Sequence, residues 1–293
     1  MTVLSIVILS YNTKDLTVKC IELVIRQYRK ELERGEFEVI VVDNASSDAS
    51  ASAISNIKNQ ISNIKLIENE KNLGFAKGCN IGERAAKGRY MLFLNSDTEV
   101  RDRGFLKMME FLEKNEKVGV LGGKLLNIDG SPQPSAGKFY TLFNLFLMLL
   151  GIENFLGIRK SPNKTSRVDW VSGGCMMIKK NLFERLSGFD EKFFMYIEDM
   201  ELCYRANKLG FLTYFYPDVK VLHKELGSGN RDFAIINIYK GISYFYSKHK
   251  SGIEYIIAKF LLVAKAAFLI FIGVIGRSRG LKERYEKALK FSL

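Results

Sequence analysis

Residues 90–97 constrain this chain more than any other stretch. Tyr90 to Leu94 is an unbroken apolar run, and it stops abruptly at Asn95-Ser96-Asp97. Such a run reads as a buried strand, and in open α/β sheets ligands bind just beyond the carboxyl ends of the strands. A carboxylate there can hold a divalent cation, which in turn can hold phosphates. Phe37 to Val42 ends in Asp43 in the same way. Two strands closing on acids point to a nucleoside-diphosphate site.

The surrounding pattern fits an α/β sheet. Strands are expected at Val3–Leu9, Phe37–Val42, Ile64–Glu68, Tyr90–Leu94 and Val118–Leu126. Helical periodicity falls between them, at Thr13–Glu33, Asp48–Lys58, Ala76–Ala86 and Phe105–Glu113. Short apolar runs alternating with amphipathic stretches are the signature of a parallel sheet with crossover helices. After the turn at Asp129-Gly130-Ser131-Pro132 the chain is less regular. A strand is expected over Val168–Lys179, a helix over Ile197–Leu209 closed by Gly210, and last strands at Phe211–Phe215 and Lys220–Leu222. With 293 residues and 47% hydrophobic content, the chain suffices for one large domain plus an appendage. The expected division is a domain over 1–250, with a nucleotide-binding half at about 1–125 and an acceptor-binding half at about 126–250, and a helical tail over 251–293.

The tail carries much of the net charge of +12. Lys259, Lys265, Arg277, Arg279, Lys282, Arg284, Lys287 and Lys290 outnumber Glu254, Glu283 and Glu286, beside the apolar run Ile256–Ile275. That pairing favours an anionic membrane surface over nucleic acid. Lys265 near the centre of a spanning helix would cost about 2.5–3.5 kcal/mol. An interfacial or tilted helix, with its lysines reaching the headgroups, fits better. The alternative is a helix packed on the core or in a dimer interface. Leu142–Leu150 is strongly apolar but too short to span a bilayer. Four scattered cysteines without a Cys-x-x-Cys pair fit reduced thiols in the cytosol, and the N-terminus reads as a first strand.

The polar segments between these elements carry the chemistry. They are Ser10-Tyr11-Asn12, Asp43-Asn44-Ala45-Ser46-Ser47-Asp48, Asn72 to Asn80 with Gly74, Lys77 and Gly78, and Asn95-Ser96-Asp97. Later come Trp170-Val171-Ser172-Gly173-Gly174, Gly188-Phe189-Asp190-Glu191, Glu198-Asp199 and His223, followed by a loop at Gly227-Ser228-Gly229. Ser46, Ser47 and Asp48 suit the opening of a helix. Gly74 and Gly78 bracket a helix start, where a bare backbone and the N-terminal dipole suit phosphate. Glu198 and Asp199 project on different faces of a helix, so one can serve a cleft while the other is held elsewhere; a solvated helix start is the other reading. Trp170 beside two glycines suits a sugar ring, or else packs in the core beside a bulge. There is no Gly-x-Gly-x-x-Gly after the first strand, which argues against a dinucleotide-binding dehydrogenase.

In order and spacing, these motifs resemble the family 2 glycosyltransferases with the GT-A fold, and the rhamnosyltransferase-like branch is the most similar, over most of residues 3–230. The resemblance implies a GT-A mixed sheet with flanking helices, followed here by the apolar, basic helical tail. It implies an inverting transferase moving a sugar from a nucleoside diphosphate, dTDP-rhamnose or a UDP-sugar, to a hydroxyl of a glycan or lipid-linked acceptor. Asp43 would bond the nucleobase with Tyr11 near it, and Ser10, Asn12, Asn72, Gly74, Lys77, Gly78, Asn80 and Ser96 would complete the donor site. Asn95-Ser96-Asp97 matches the family's Asp-x-Asp motif with Asn in the first position. Asp97 would ligate Mg²⁺ or Mn²⁺ and Asn95 would contact ribose or order a water, while His223 matches a position that completes the metal site or touches the diphosphate. Asp199 would be the general base; Glu198, Arg205, Trp170, Gly173 and Gly174 would face the acceptor. Such acceptors imply the cytoplasmic face of the cell membrane, with peripheral or monotopic attachment. Two rivals are a catalytically dead glycan- or nucleotide-binding module and a sugar nucleotidyltransferase. The latter would want a basic Gly-rich loop after the first strand, which Ser10 to Lys14 does not supply.

Overall fold

The computed structural model describes residues 1–59, 61–225 and 231–290; the loop expected at Gly227-Ser228-Gly229 lies outside them. The first half alternates as its periodicity requires: β1 (Leu4–Ser10), α1 (Lys14–Glu33), β2 (Phe37–Asp43), α2 (Ser50–Lys58), β3 (Ile64–Glu68), α3 (Phe75–Arg84) and β4 (Tyr90–Asn95). Next come the short β5 (Thr98–Val100), α4 (Gly104–Lys114) and β6 (Val118–Leu126). The second half holds β7 (Ala136–Gly137), α5 (Leu142–Leu149), β8 (Arg159–Lys160), β9 (Ser166–Val168), β10 (Trp170–Val171), β11 (Cys175–Lys179), α6 (Lys180–Arg185), α7 (Glu198–Lys208) and β12 (Leu212–His223). It closes with α8 (Arg231–His249), α9 (Gly252–Ile275) and α10 (Arg279–Leu289).

The main sheet runs β3-β2-β1-β4-β11-β6-β12-β5, with β9 paired to β12. Pairs among β3, β2, β1 and β4 are parallel, whereas β11 is antiparallel to both β4 and β6. The sheet is therefore mixed. Apolar clusters fill both of its faces, one against α1 and α4, the other against α3, α6, α7 and α8. This double burial is why β4 reads as a continuous apolar run, and β2 as one broken only by Glu38, and not as alternating ones. All four cysteines are buried free thiols.

Two expectations need correction. The strand expected over Val168–Lys179 is three strands. Ser172-Gly173-Gly174 leaves the ladder, so β10 joins a small separate sheet, β10-β7-β8, while β11 enters the main one. Conversely, the strands expected at Phe211–Phe215 and Lys220–Leu222 are one, β12, which shifts register between Tyr216 and Lys220. Pro217 has no N–H to give the ladder, so the chain bulges around it and resumes.

Register brings the strand-end residues together. Ser10 pairs with Asp43 and Leu9 with Asn95, so β1, β2 and β4 finish side by side on one edge. In the tail, Ser251 opens α9 through a capping box with Glu254, and α9 packs against α5 and α8. Ala258, Leu262 and Ala266, one turn apart, are buried, whereas Ile256, Phe260, Phe268 and Phe271 are exposed. By length and composition α9 could cross a membrane, yet one of its stripes is committed to protein.

Candidate active site

Three loops meet at the strand-end edge. Asn12, in the left-handed region at φ 53°, gives its amide to Ser46 Oγ (2.9 Å) and accepts from the Ser47 amide on Oδ1 (2.7 Å). The Asp43 carboxylate closes the same loop, accepting from the Ser46 amide (2.8 Å) and hydroxyl (2.6 Å). Asp48 accepts from the Lys14 amide and from Ser50. Burial would raise its pKa, but these hydrogen bonds outweigh it and hold the carboxyl below its usual range. Tyr11 stays exposed. Ser10 and Ser96, expected among the donor contacts, are buried, and their hydroxyls bond to Thr17 (3.0 Å) and Thr13 (3.2 Å) respectively.

The loop before α3 is organised by Asn44, to which the sequence assigned no role. Buried Asn44 donates to Asn72 Oδ1 (3.2 Å) and the Gly74 carbonyl (3.1 Å), and accepts from Asn69 (2.8 Å). Adjacency to Asp43 was the only available signal. The expectation of a phosphate cradle here needs correction. Gly74, at φ 81°, is bare because the Phe194 backbone lies against it, and the Phe75 amide donates to the Phe194 carbonyl (2.6 Å). Gly78 is bare because Leu9 packs on it. Lys77 pairs with Glu191 (3.3 Å), and Asn80 grips the Phe189 backbone through both ends of its amide (2.8 and 2.9 Å). These residues dock α3 against the 188–194 segment.

At the end of β4, His223 Nε2 lies 3.3 Å from Asp97 Oδ1 and 3.1 Å from Asn95 Nδ2. Antiparallel pairing of β12 with β5 brings this histidine across from a distant part of the chain. Among the described residues no group of three His, Cys, Asp or Glu side chains could hold a metal. Asp97 and His223 nevertheless suit a hard cation such as Mg²⁺ or Mn²⁺, which keeps waters and takes phosphate oxygens for the rest of its shell.

Glu198 and Asp199 stand at the start of α7. Tyr196 and Ile197 are both left-handed, at φ 70° and 72°, a costly conformation for such side chains, and the bare Gly241 lets α8 press on them. This places Asp199 so that it accepts from the Gly173 amide (3.1 Å) and its neighbour Met200 (2.7 Å). The next residue, Gly174, accepts from the Asn95 amide (3.2 Å). A continuous set of contacts thus runs from Asp97 and His223 through Asn95, Gly174 and Gly173 to Asp199. Burial raises the pKa of Asp199. Burial, then the charge of Asp199, raises that of Glu198 well above the carboxylate range; its Oε2 is enclosed without a hydrogen-bond partner.

Two acceptor-side expectations are corrected. Trp170 is 5% exposed, its indole N–H bonded to the Lys138 carbonyl (3.0 Å) and its ring against Gly137, so it is core and not a cleft wall. Arg205 has every guanidinium nitrogen engaged, with Glu201 (2.8 Å) and with the carbonyls of Leu186 and Gly188. His249 joins that network by bonding Glu201 (2.8 Å).

A family model described as glycosyl transferase family 2 matches residues 5–187. The N-acetylglucosaminyl-diphospho-decaprenol L-rhamnosyltransferase of Mycobacterium tuberculosis is 27% identical over 238 residues, 73% of this chain and 72% of the relative. Among solved structures, Staphylococcus aureus TarS 1-349 in complex with UDP-GlcNAc matches with a TM-score of 0.62 at 16% identity, covering 99% of this chain and 80% of that one. The mannosyltransferase PcManGT of Pyrobaculum calidifontis, in complex with GDP-Man and Mn²⁺, matches at 0.59 with 17% identity, covering 99% and 85%. At such identities the structural likeness is one of fold, and that fold is GT-A.

Proposed function

This chain belongs to glycosyl transferase family 2, and on that premise we propose that it is an inverting, divalent-cation-dependent enzyme transferring rhamnose or a similar sugar from dTDP or UDP to a hydroxyl of a lipid-linked or cell-surface glycan. The observation that carries this reading is the continuous path of contacts from Asp97 and His223 to Asp199. It links the residues assigned to the diphosphate with the one assigned as base, which supports a single-displacement transfer. The name of the Mycobacterium tuberculosis relative supports rhamnose as the sugar and a lipid-diphosphate acceptor.

Asp43, Asn12 and Tyr11 hold the nucleoside, and Asn95 orients the ribose or a water. Asp97 and His223 hold Mg²⁺ or Mn²⁺, which when bound neutralises charge on the departing diphosphate. Asp199 takes the proton of the acceptor hydroxyl as its oxygen forms the bond to C1. The C1–oxygen bond to the diphosphate breaks in the same step, the nucleoside diphosphate leaves with the electron pair, and the anomeric centre inverts. The raised pKa of Asp199 suits a base.

Residues 1–250 perform the transfer, and 251–293 attach the enzyme to the cytoplasmic membrane face. The exposed Phe143 and Phe146 of α5 and the exposed apolar stripe of α9 support an in-plane attachment, with Arg277, Arg279 and Lys282 beside it for anionic headgroups. The test is a screen of UDP-, dTDP- and GDP-sugars with Mn²⁺, with Mg²⁺ and with chelator, reading binding and release of nucleoside diphosphate. Cation-dependent binding of one donor, with turnover on a lipid-linked acceptor, is the expected result. Binding without turnover on any acceptor favours the dead-module reading, and no binding by folded protein overturns the proposal.

A further inference from the structure

His223 is touched from behind by a side chain that neither the motifs nor the proposed transfer employs. The turn at residues 129–132 sends the chain back along β6, where the Gln133 amide donates to the Leu125 carbonyl (2.9 Å). Gln133 is buried there. Its Nε2 donates to Asn127 Oδ1 (2.7 Å) and to the His223 carbonyl (2.8 Å), and its Oε1 lies 2.8 Å from His223 Nδ1.

The direction of every bond in this cluster follows from its far end. The Asp129 carboxylate, which only accepts, takes the Ser131 hydroxyl proton (2.6 Å). Ser131 Oγ therefore presents a lone pair, and Asn127 Nδ2 donates to it (2.8 Å). That turns Asn127 Oδ1 toward Gln133, whose amide nitrogen spends both protons on Oδ1 and the His223 carbonyl. The atom left facing Nδ1 is an amide oxygen, which cannot donate. A neutral imidazole has one N–H, and here it must be on Nδ1; the other tautomer would set two lone pairs against each other at 2.8 Å. Nε2 is then the unprotonated nitrogen, and it faces Asn95 Nδ2 at 3.1 Å and Asp97 Oδ1 at 3.3 Å.

We propose that Gln133 is a positioning residue that holds the neutral His223 ring in the Nδ1–H tautomer, aiming the Nε2 lone pair beside Asp97 so that both can ligate the divalent cation. A histidine that ligates a metal through one nitrogen is oriented by what its other nitrogen bonds. The use of that lone pair rests on the cation-dependent reading above; the tautomer does not.

The chain has two histidines, so imidazole nitrogen NMR of the full-length, metal-free protein can resolve both, with His223→Gln identifying the signals. The expected wild-type His223 spectrum at a pH where the ring is neutral shows a protonated Nδ1 and an unprotonated Nε2. Gln133→Met should lose that preference. Manganese binding in the presence of dTDP or UDP, followed by electron paramagnetic resonance, should weaken by about 10–100-fold in Gln133→Met. Circular dichroism confirms that each variant folds. A wild-type ring protonated on Nε2 overturns the proposal. So does Mn²⁺ affinity unmoved by Gln133→Met. Wild-type protein that shows the Nδ1–H ring but binds no Mn²⁺ with either nucleotide overturns the cation-dependent reading and with it the ligation role, while leaving the tautomer established.

Discussion

Replacing Glu201 by Gln tests whether charge holds α7 in place. Glu201 is fully buried on that helix, and its carboxylate meets Arg205 (2.8 Å), Lys248 (2.8 Å) and His249 (2.8 Å). Lys248 also bonds Asp190 (2.7 Å), which accepts from Tyr244 (2.8 Å). Burial would raise the Glu201 pKa, but hydrogen bonds from His249 and Arg205 outweigh it and hold the carboxyl down to about 2. A displacement from the ordinary 4.5 to about 2 corresponds to about 3 kcal/mol at neutral pH. The folded pKa is the lower one, so this stability is fully present above the unfolded value and is lost as pH falls through the folded value. Glu201→Gln keeps the shape and removes the charge. Urea unfolding of both proteins should give a stability gap of about 3 kcal/mol at pH 7, about 1 kcal/mol at pH 3, and nearly none at pH 2. A gap that stays constant from pH 7 to pH 3 refutes the charge argument.

Asp199→Asn should lower kcat by about 10²–10⁴-fold while nucleotide affinity stays within a few-fold; a loss of affinity matching that of Asp97→Ala would move Asp199 into the donor site. Because burial raises the pKa of Asp199 and the base must be ionised, kcat/KM should fall on the acid side with an inflection above the usual aspartate value. A flat profile through that range contradicts the assignment. Changing exposed Phe260, Phe268 and Phe271 to Ser should release the protein from anionic vesicles in a flotation assay without lowering its Tm, and undiminished flotation defeats the membrane reading. Trp170→Ala should cost about 3–5 kcal/mol of stability; a changed acceptor KM at unchanged stability would restore it to the cleft.

The parallel half of this protein was legible because its signals are local. Buried strands between helices force long apolar runs, and the polar residues Asp43 and Asn95 stand where those runs stop. Element positions from β1 to β6 follow from such runs, apart from β5, whose three residues are too few to show periodicity. Motif order similarly carried the family and the GT-A fold.

What the linear chain could not contain is which polar groups consume one another. Arg205, Asn80 and Trp170 look like ligands by type, yet each is taken up by backbone carbonyls or side chains from distant segments. Gln133 and Asn44 look ordinary, yet tertiary contacts put them against His223 and the loop before α3. Residue type and period alone determined the strands from β1 to β6 other than β5, their polar ends and the apolar tail. Only the tertiary structure decided which side chains remain free for a substrate, because a hydrogen bond spanning ninety residues depends on register and on turns such as 129–132, and neither is written in any local window.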